Sequence, residues 1–143
     1  MDFKLEVVVV PVSDVDRAKS FYVDQVGFPV DVDSRPNDHF RVVQMTPPGS
    51  GCSVTIGTGM SRMAPGSLEG LQLCVADIEA AHAELGGRGV AVRRIQHHDG
   101  TAFVDGKGDD WNSFFFFNDP DGNGWAVQES PTMRAVLAAE SPA

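Results

Sequence analysis

Three adjacent polar residues, His97, His98 and Asp99, form the most reactive-looking cluster in this chain. A histidine titrates near neutrality, and beside a carboxylate it can act as a general base or acid. Adjacent strand residues face opposite ways, so at most one of the two imidazoles reaches any given site. A solvated strand end would carry the same residues without chemistry, so both readings stand. His39, in Asn37-Asp38-His39, is a second candidate at a rim, whereas His82 falls on a helix flank, where a structural role is expected. Trp111 closes a polar stretch and is either an aromatic lid or a packing anchor. Cys52 and Cys74 lie in apolar stretches, which suits buried, reduced thiols better than a disulfide framework.

The elements that must hold these groups come in two copies. Val8-Val9-Val10-Pro11-Val12-Ser13-Asp14-Val15 is echoed by Leu71-Gln72-Leu73-Cys74-Val75-Ala76-Asp77-Ile78, with a constant offset (77 − 14 = 63). Tyr22 meets Leu85 at that offset, and Gly27 meets Gly89 after a one-residue deletion. Self-similarity of this kind marks one supersecondary unit that pairs with its twin, and two facing units leave a cleft. In the first copy, residues 4–12 read as a strand covered on both faces. A helix follows, capped by Ser13 or Asp14 and stopped at Gly27. Residues 40–45 and 52–57 are further strands, and residues 58–69 connect the copies.

In the second copy, residues 71–75 form a strand, and Asp77 caps a helix that Gly86-Gly87 ends. Residues 90–96 are expected to be a strand and residues 100–112 a mobile loop. The apolar run at 113–117 reads as a strand buried on both faces. Asn118-Asp119-Pro120-Asp121-Gly122-Asn123 is a dense turn signal before a last strand at 125–128, and residues 132–139 add a helix. The order is β-α-β-β-β, twice.

The chain has 143 residues and 42% hydrophobic composition, which fits one globular domain. Its formal net charge of −9 argues against nucleic acid or an anionic membrane as partner. Met1-Asp2-Phe3-Lys4 opens no signal sequence, and nothing reaches the length of a membrane span, so a cytoplasmic location is expected.

The strand ending in Val12-Ser13-Asp14, the Phe21-Tyr22 pair, the second Val75-Ala76-Asp77 and the closing run from Asn118 to Trp125 together resemble the vicinal-oxygen-chelate superfamily. Glyoxalase I, bleomycin-resistance proteins and extradiol dioxygenases belong to that group. The resemblance implies an α+β fold: two βαβββ modules forming an open, cup-shaped mixed sheet of about eight strands, with helices outside and the site inside the cup. Module one then spans about 4–57, the connector 58–69, module two about 70–130 and the tail 131–143, within a single domain over 1–143. Relatives hold a divalent metal with His and Glu at positions that fall here on Val7, Thr55, Gly70 and Ala126, and none of these can serve. Glu129 lies an odd offset beyond Ala126 and should point to the opposite face.

By the same register Gln72 and Gln128 point inward, while Trp125 and Val127 face away. Val7, Thr55, Gly70, Gln72, Trp111, Ala126 and Gln128 are therefore the expected ligand-binding residues, with His97 and His98 as catalytic candidates. No metal and no cofactor are expected. The resemblance implies a homodimer that binds a hydrophobic small organic molecule. It is either a metal-independent lyase- or isomerase-like enzyme or a protein that sequesters a drug or metabolite without catalysis.

Overall fold

The computed structural model describes residues 1–140. The chain runs β1 (Val7–Val9), α1 (Val15–Ser20), a π-helical turn (Phe21–Val26), β2 (Val30–Asn37), β3 (Phe40–Met45), β4 (Ser53–Thr58), β5 (Leu71–Val75), α2 (Ile78–Gly87), β6 (Gln96–His98), β7 (Phe103–Asp105), β8 (Phe114–Asn118), β9 (Gly124–Glu129) and α3 (Pro131–Glu140). It divides into two compact units: Met1–Glu69 joined by Asp119–Asn123, and Gly70–Asn118 with the chain from Gly124 onward. Each holds one open mixed sheet, four strands in order β1-β4-β3-β2 and five in order β5-β9-β8-β6-β7. The fold class is α+β, as expected, with a strand more in the second copy than the βαβββ plan provides.

In the first unit Asp14 caps α1, its carboxylate accepting from the Arg17 N–H at 3.0 Å. Asp16 adds a negative charge to the first turn, where the helix dipole favours it. Val15, Ala18, Phe21, Tyr22 and Val26 are buried, together with Val43, Met45, Val54 and Ile56 on alternate positions of β3 and β4. Gly27 ends the helix at φ +91°, a left-handed conformation that only glycine adopts cheaply.

The polar turn of residues 119–123 packs into this unit. Asp119 accepts from the Tyr22 hydroxyl at 2.7 Å and from the Asn123 backbone N–H at 2.9 Å. Asn123, fully buried, donates to the Pro11 carbonyl at 2.8 Å and accepts from the Leu68 N–H at 3.1 Å. Burying two such polar side chains is tolerable only because each finds partners. Ser13 donates to Asp121 rather than capping the helix.

In the second unit Asp77 caps α2 through the Ala80 N–H at 3.0 Å. Phe115, Phe117, Trp125 and Val127 are buried on one face of the sheet, with Ile78 and Leu85 of α2 also buried. His82 sits edge-on to Phe115 at 5.1 Å and bonds the Arg93 carbonyl at 2.9 Å, the structural role expected of it. Gly89, at φ +90°, is the twin of Gly27, and α2 ends at Gly87, with Gly86 and Gly87 as its last two residues, as expected.

Several expectations need correction. The first strand is only Val7–Val9 and is not covered on both faces, since Leu5 and Val7 are exposed. Residues 30–37, whose alternating charges hid the pattern, form the long outer strand β2. Residues 90–95 are irregular, and the strand there is Gln96–His98. The polar stretch 100–112 contains β7 and is tied down rather than free. His97 Nδ1 donates to the Gly106 carbonyl at 2.9 Å, and the Asn112 side chain brackets His98, accepting from its N–H and donating to its carbonyl, both at 2.8 Å. The Phe114–Asn118 strand is buried on one face only, with Phe114 and Phe116 partly open.

Candidate functional site

Strand register decides which side chains share a face. Gln72 pairs with Ala126 and Cys74 with Gln128 across β5 and β9. Phe114 pairs with Gln128 and Phe116 with Ala126 across β8 and β9. Gln96 pairs with Phe114, and His98 with Phe103 across the β6–β7 hairpin. Side chains of paired residues point the same way. One face of the second sheet therefore presents Gln72, Cys74, Ala126, Gln128, Phe114, Phe116, His98 and Phe103, and all are exposed or partly so. The opposite face is the buried core.

Half of this open face is aromatic. Phe103 stands edge-on to Phe114 at 5.7 Å, to Phe116 at 5.5 Å and to His98 at 5.3 Å, while Phe114 and Phe116 lie parallel at 6.4 Å. Edge-to-face arrays of this kind leave ring faces available to a further π-system. Phe103 remains 44% exposed, an unusual outlay for a large apolar side chain with such neighbours.

The other half carries amides. Gln72 Nε2 donates to Gln128 Oε1 at 2.6 Å, and Gln128 Nε2 donates to the Trp111 carbonyl at 2.7 Å. Trp111 is 49% exposed and, among the described residues, the one non-glycine with positive φ, at +63°. A bulky residue in that region is strained by about 1–3 kcal/mol and persists only where its surroundings over-determine it. Here the Gln128 amide holds its carbonyl, and the next residue, Asn112, is anchored by its side chain on the His98 backbone.

The other sequence candidates scatter. Gly70, at φ +89°, precedes β5 with open space where a side chain would begin, but that backbone would strain any side chain placed there. Val7 lies exposed on β1 of the first unit, and Thr55 is buried beside Val9. His39 is exposed in the β2–β3 turn, its N–H donating to Asn37 at 2.8 Å. The His97-His98-Asp99 cluster comes apart. His97 faces away from the open side, and His98 Nδ1 accepts from the Gly100 N–H at 3.1 Å. Asp99 accepts from the N–H groups of Thr101 and Ala102 at 2.8 and 2.9 Å, closing the hairpin. The Ala102 N–H and then that of Thr101 hold its carboxyl below the usual range, while the histidines contribute less. Cys74 is an exposed free thiol rather than a buried one, and Cys52 is half-buried and also free. Sequence reasoning missed Phe103 and the open side of Phe114 and Phe116. The period-2 alternation of β9 against an all-aromatic β8 was the available signal.

The metal positions implied by the superfamily do not fit a divalent ion. Val7, Gly70 and Ala126 offer no side-chain donor, and among the described residues no three of His, Cys, Asp and Glu are grouped to hold one. Glu129 points to the core side as expected. It accepts from the Ile78 N–H at 3.0 Å, and Lys107 and Arg134 approach it at 3.4 and 3.7 Å. Two hollows lie off the aromatic face. One of about 250 Å³ in the first unit is edged by Val12, Met60 and Met63. The other, about 560 Å³ in the second, is edged by Lys107, Asp110, Glu129 and Arg134, whose charges largely satisfy one another.

A profile of the Glyoxalase/Bleomycin resistance protein/Dioxygenase superfamily matches residues 4–127. The chain belongs to this superfamily. Among solved structures it is similar to TnmS3, an antibiotic binding protein from Streptomyces sp. CB03234, at 37% identity over 90% of this chain and 97% of that one, with a TM-score of 0.72. A glyoxalase/bleomycin resistance protein from the same Streptomyces strain is 38% identical over 87% and 99% of the two chains, with a TM-score of 0.68. A superfamily member from Sphaerobacter thermophilus is 27% identical over 90% and 98%, with a TM-score of 0.72. No curated protein sequence matches the chain. Among the described residues no helix is long and apolar enough to cross a membrane.

Proposed function

We propose that this protein binds and sequesters a flat, largely apolar aromatic molecule on the open face of β5, β9, β8 and β6, without transforming it. The observation that carries the reading is the partly exposed array of Phe103, Phe114, Phe116 and His98 beside a neutral amide pair. Covering apolar surface is worth about 25 cal/mol per Å², so a stacked ring system needs no ion pair to bind. Similarity to an antibiotic binding protein supports a drug-like ligand. The charge of −9 would favour a cationic compound on encounter.

Catalysis is the weaker reading for a structural reason. Among the described residues no carboxylate hydrogen-bonds either imidazole ring of the His97-His98 pair, and of the two only His98 lies on the open face. On this reading neither metal nor cofactor is needed, the protein works in the cytoplasm, and it acts as a homodimer, with a mass in solution near twice the chain's 15.3 kDa. Incubation with a panel of polycyclic aromatic antibiotics, read by indole fluorescence and by mass spectrometry of the extracted compound, is the test. Saturable quenching with the compound recovered unaltered is expected, also after treatment with a chelator. Stoichiometric appearance of a product, or binding that vanishes with the chelator, would overturn the proposal.

A further inference from the structure

The amide pair has an orientation that the backbone settles. A main-chain carbonyl can only accept, so the Gln128 group facing Trp111 must be the Nε2 donor. Gln128 Oε1 is then turned to Gln72, which must answer with its own Nε2. The Cys74 thiol, 3.9 Å from the same Oε1, also approaches as a donor. The direction of the whole chain is therefore inherited from one peptide group. Gln128 ends with both sides of its amide engaged. Gln72 is an exposed residue, and among the described residues nothing donates to its Oε1.

We infer that the ligand carries a hydrogen-bond donor on its aromatic body, a phenolic hydroxyl or an N–H, and that this group meets Gln72 Oε1. Gln128 is a positioning residue: it does not touch the ligand but fixes which end of the Gln72 amide is presented. The inference rests on the binding reading above and names the chemistry of its ligand. A ring system covering the face removes water from Gln72 Oε1. A ligand bearing only acceptors leaves that oxygen unpaired, and this costs more than an ordinary hydrogen bond is worth. The left-handed Trp111 backbone has the same logic, because it aims the carbonyl that orients the pair.

A matched pair of fluorescent probes, 1-hydroxypyrene and 1-methoxypyrene, separates donor from non-donor at nearly constant ring area. On the full chain the hydroxyl probe should bind about tenfold more tightly than the ether. Gln72→Leu should bring the ratio close to one while the ether still binds. Gln128→Met should also shrink the ratio, because a released Gln72 amide can rotate to offer either end, and a purely structural role would not move that ratio. Equal affinities for the two probes on the unsubstituted protein would overturn the donor requirement and leave the aromatic-face reading standing. Binding of neither would overturn both. A Gln128→Met protein that binds and keeps the full ratio would remove the positioning role. Gln72→Leu, at an exposed position, decides the donor contact even where Gln128→Met does not fold.

Discussion

The two sheets start from the same repeat, yet they spend their open faces differently. In the first unit Val7, Val32, Val42, Gln44 and Thr55 share the face away from α1, a mostly aliphatic surface in which Thr55 is fully covered. In the second the equivalent side carries four aromatic or imidazole rings and an amide pair. Their core sides differ as well. In the first unit Arg41, only 8% exposed, is gripped by Asp33 and by Asp16 of α1, at 2.9 and 2.7 Å. In the second unit the polar core-side groups include fully buried Ser113, His82 on the Arg93 carbonyl and Glu129 at the start of α2. Duplication preserved what every copy needs, an Asp cap and a glycine stop, and left each face free to specialise. Both copies use polar groups to tie helix to sheet, and they differ in the open face, which the second lines with rings and an amide pair.

The comparison breaks most visibly if the first unit can do without its inserted turn. Asp119→Ala strips partners from the Tyr22 hydroxyl, the Asn123 side chain and several turn N–H groups, so it should cost about 3 kcal/mol or more. A fall in melting temperature of roughly 10 °C would register it. An unchanged transition would mean that the turn is ornamental.

Next is the contrast between the faces. Phe116→Ala should weaken binding of a polycyclic aromatic by about 1–3 kcal/mol in titration calorimetry, whereas Val42→Ala should leave it within roughly 0.5 kcal/mol. Equal losses would put ligand contacts on both sheets and sink the division of labour.

The Arg41 lock predicts a pH dependence. The Asp33 carboxyl is held well below the usual range, first by its hydrogen bond from Arg41 and then by that from Lys19. A depressed folded-state value adds stability above the unfolded value of 3.8 and loses it as pH falls below that. Asp33→Asn should therefore be less stable at neutrality and lose less on acidification, as chemical unfolding at pH 7 and pH 3 would reveal. The smallest effects belong to the histidines. His98→Ala should cost ligand affinity about 0.5–1.5 kcal/mol, one ring contact. His97→Ala, on the other side of the strand, should cost next to nothing. A large loss for His97→Ala would put ligand contacts on the other side of the strand.

Much of the frame was legible along the chain. Asp14, Asp77, Gly27 and the bonds that Asp119 accepts within its own turn act through near neighbours, and their residue types carry their geometry, whereas the turn's grip on Tyr22 and Pro11 was not legible. Alternation likewise told Trp125 and Val127 from Ala126 and Gln128, because a strand has only two sides. Less of the site could be read. His97-His98-Asp99 looked like an acid–base group because sequence records adjacency but not hydrogen-bond direction, and the hairpin turn claimed Asp99 for itself. The run at 113–117 looked uniformly buried, since four adjacent phenylalanines, Phe114 to Phe117, hide their own period. Phe103 met Phe114 and Phe116 only because β7, within residues that read as a loop, folds back on β6 as a hairpin.

The sequence by itself determined the repeat, the caps and stops, the family and the lack of metal donors at Val7, Gly70 and Ala126, because these depend on residue type and short-range backbone preference. The tertiary structure alone decided which rings share a face, why Trp111 sits left-handed, and which end of the Gln72 amide is turned to Gln128. Those follow from strand pairing between residues far apart in the chain, and no local preference encodes them.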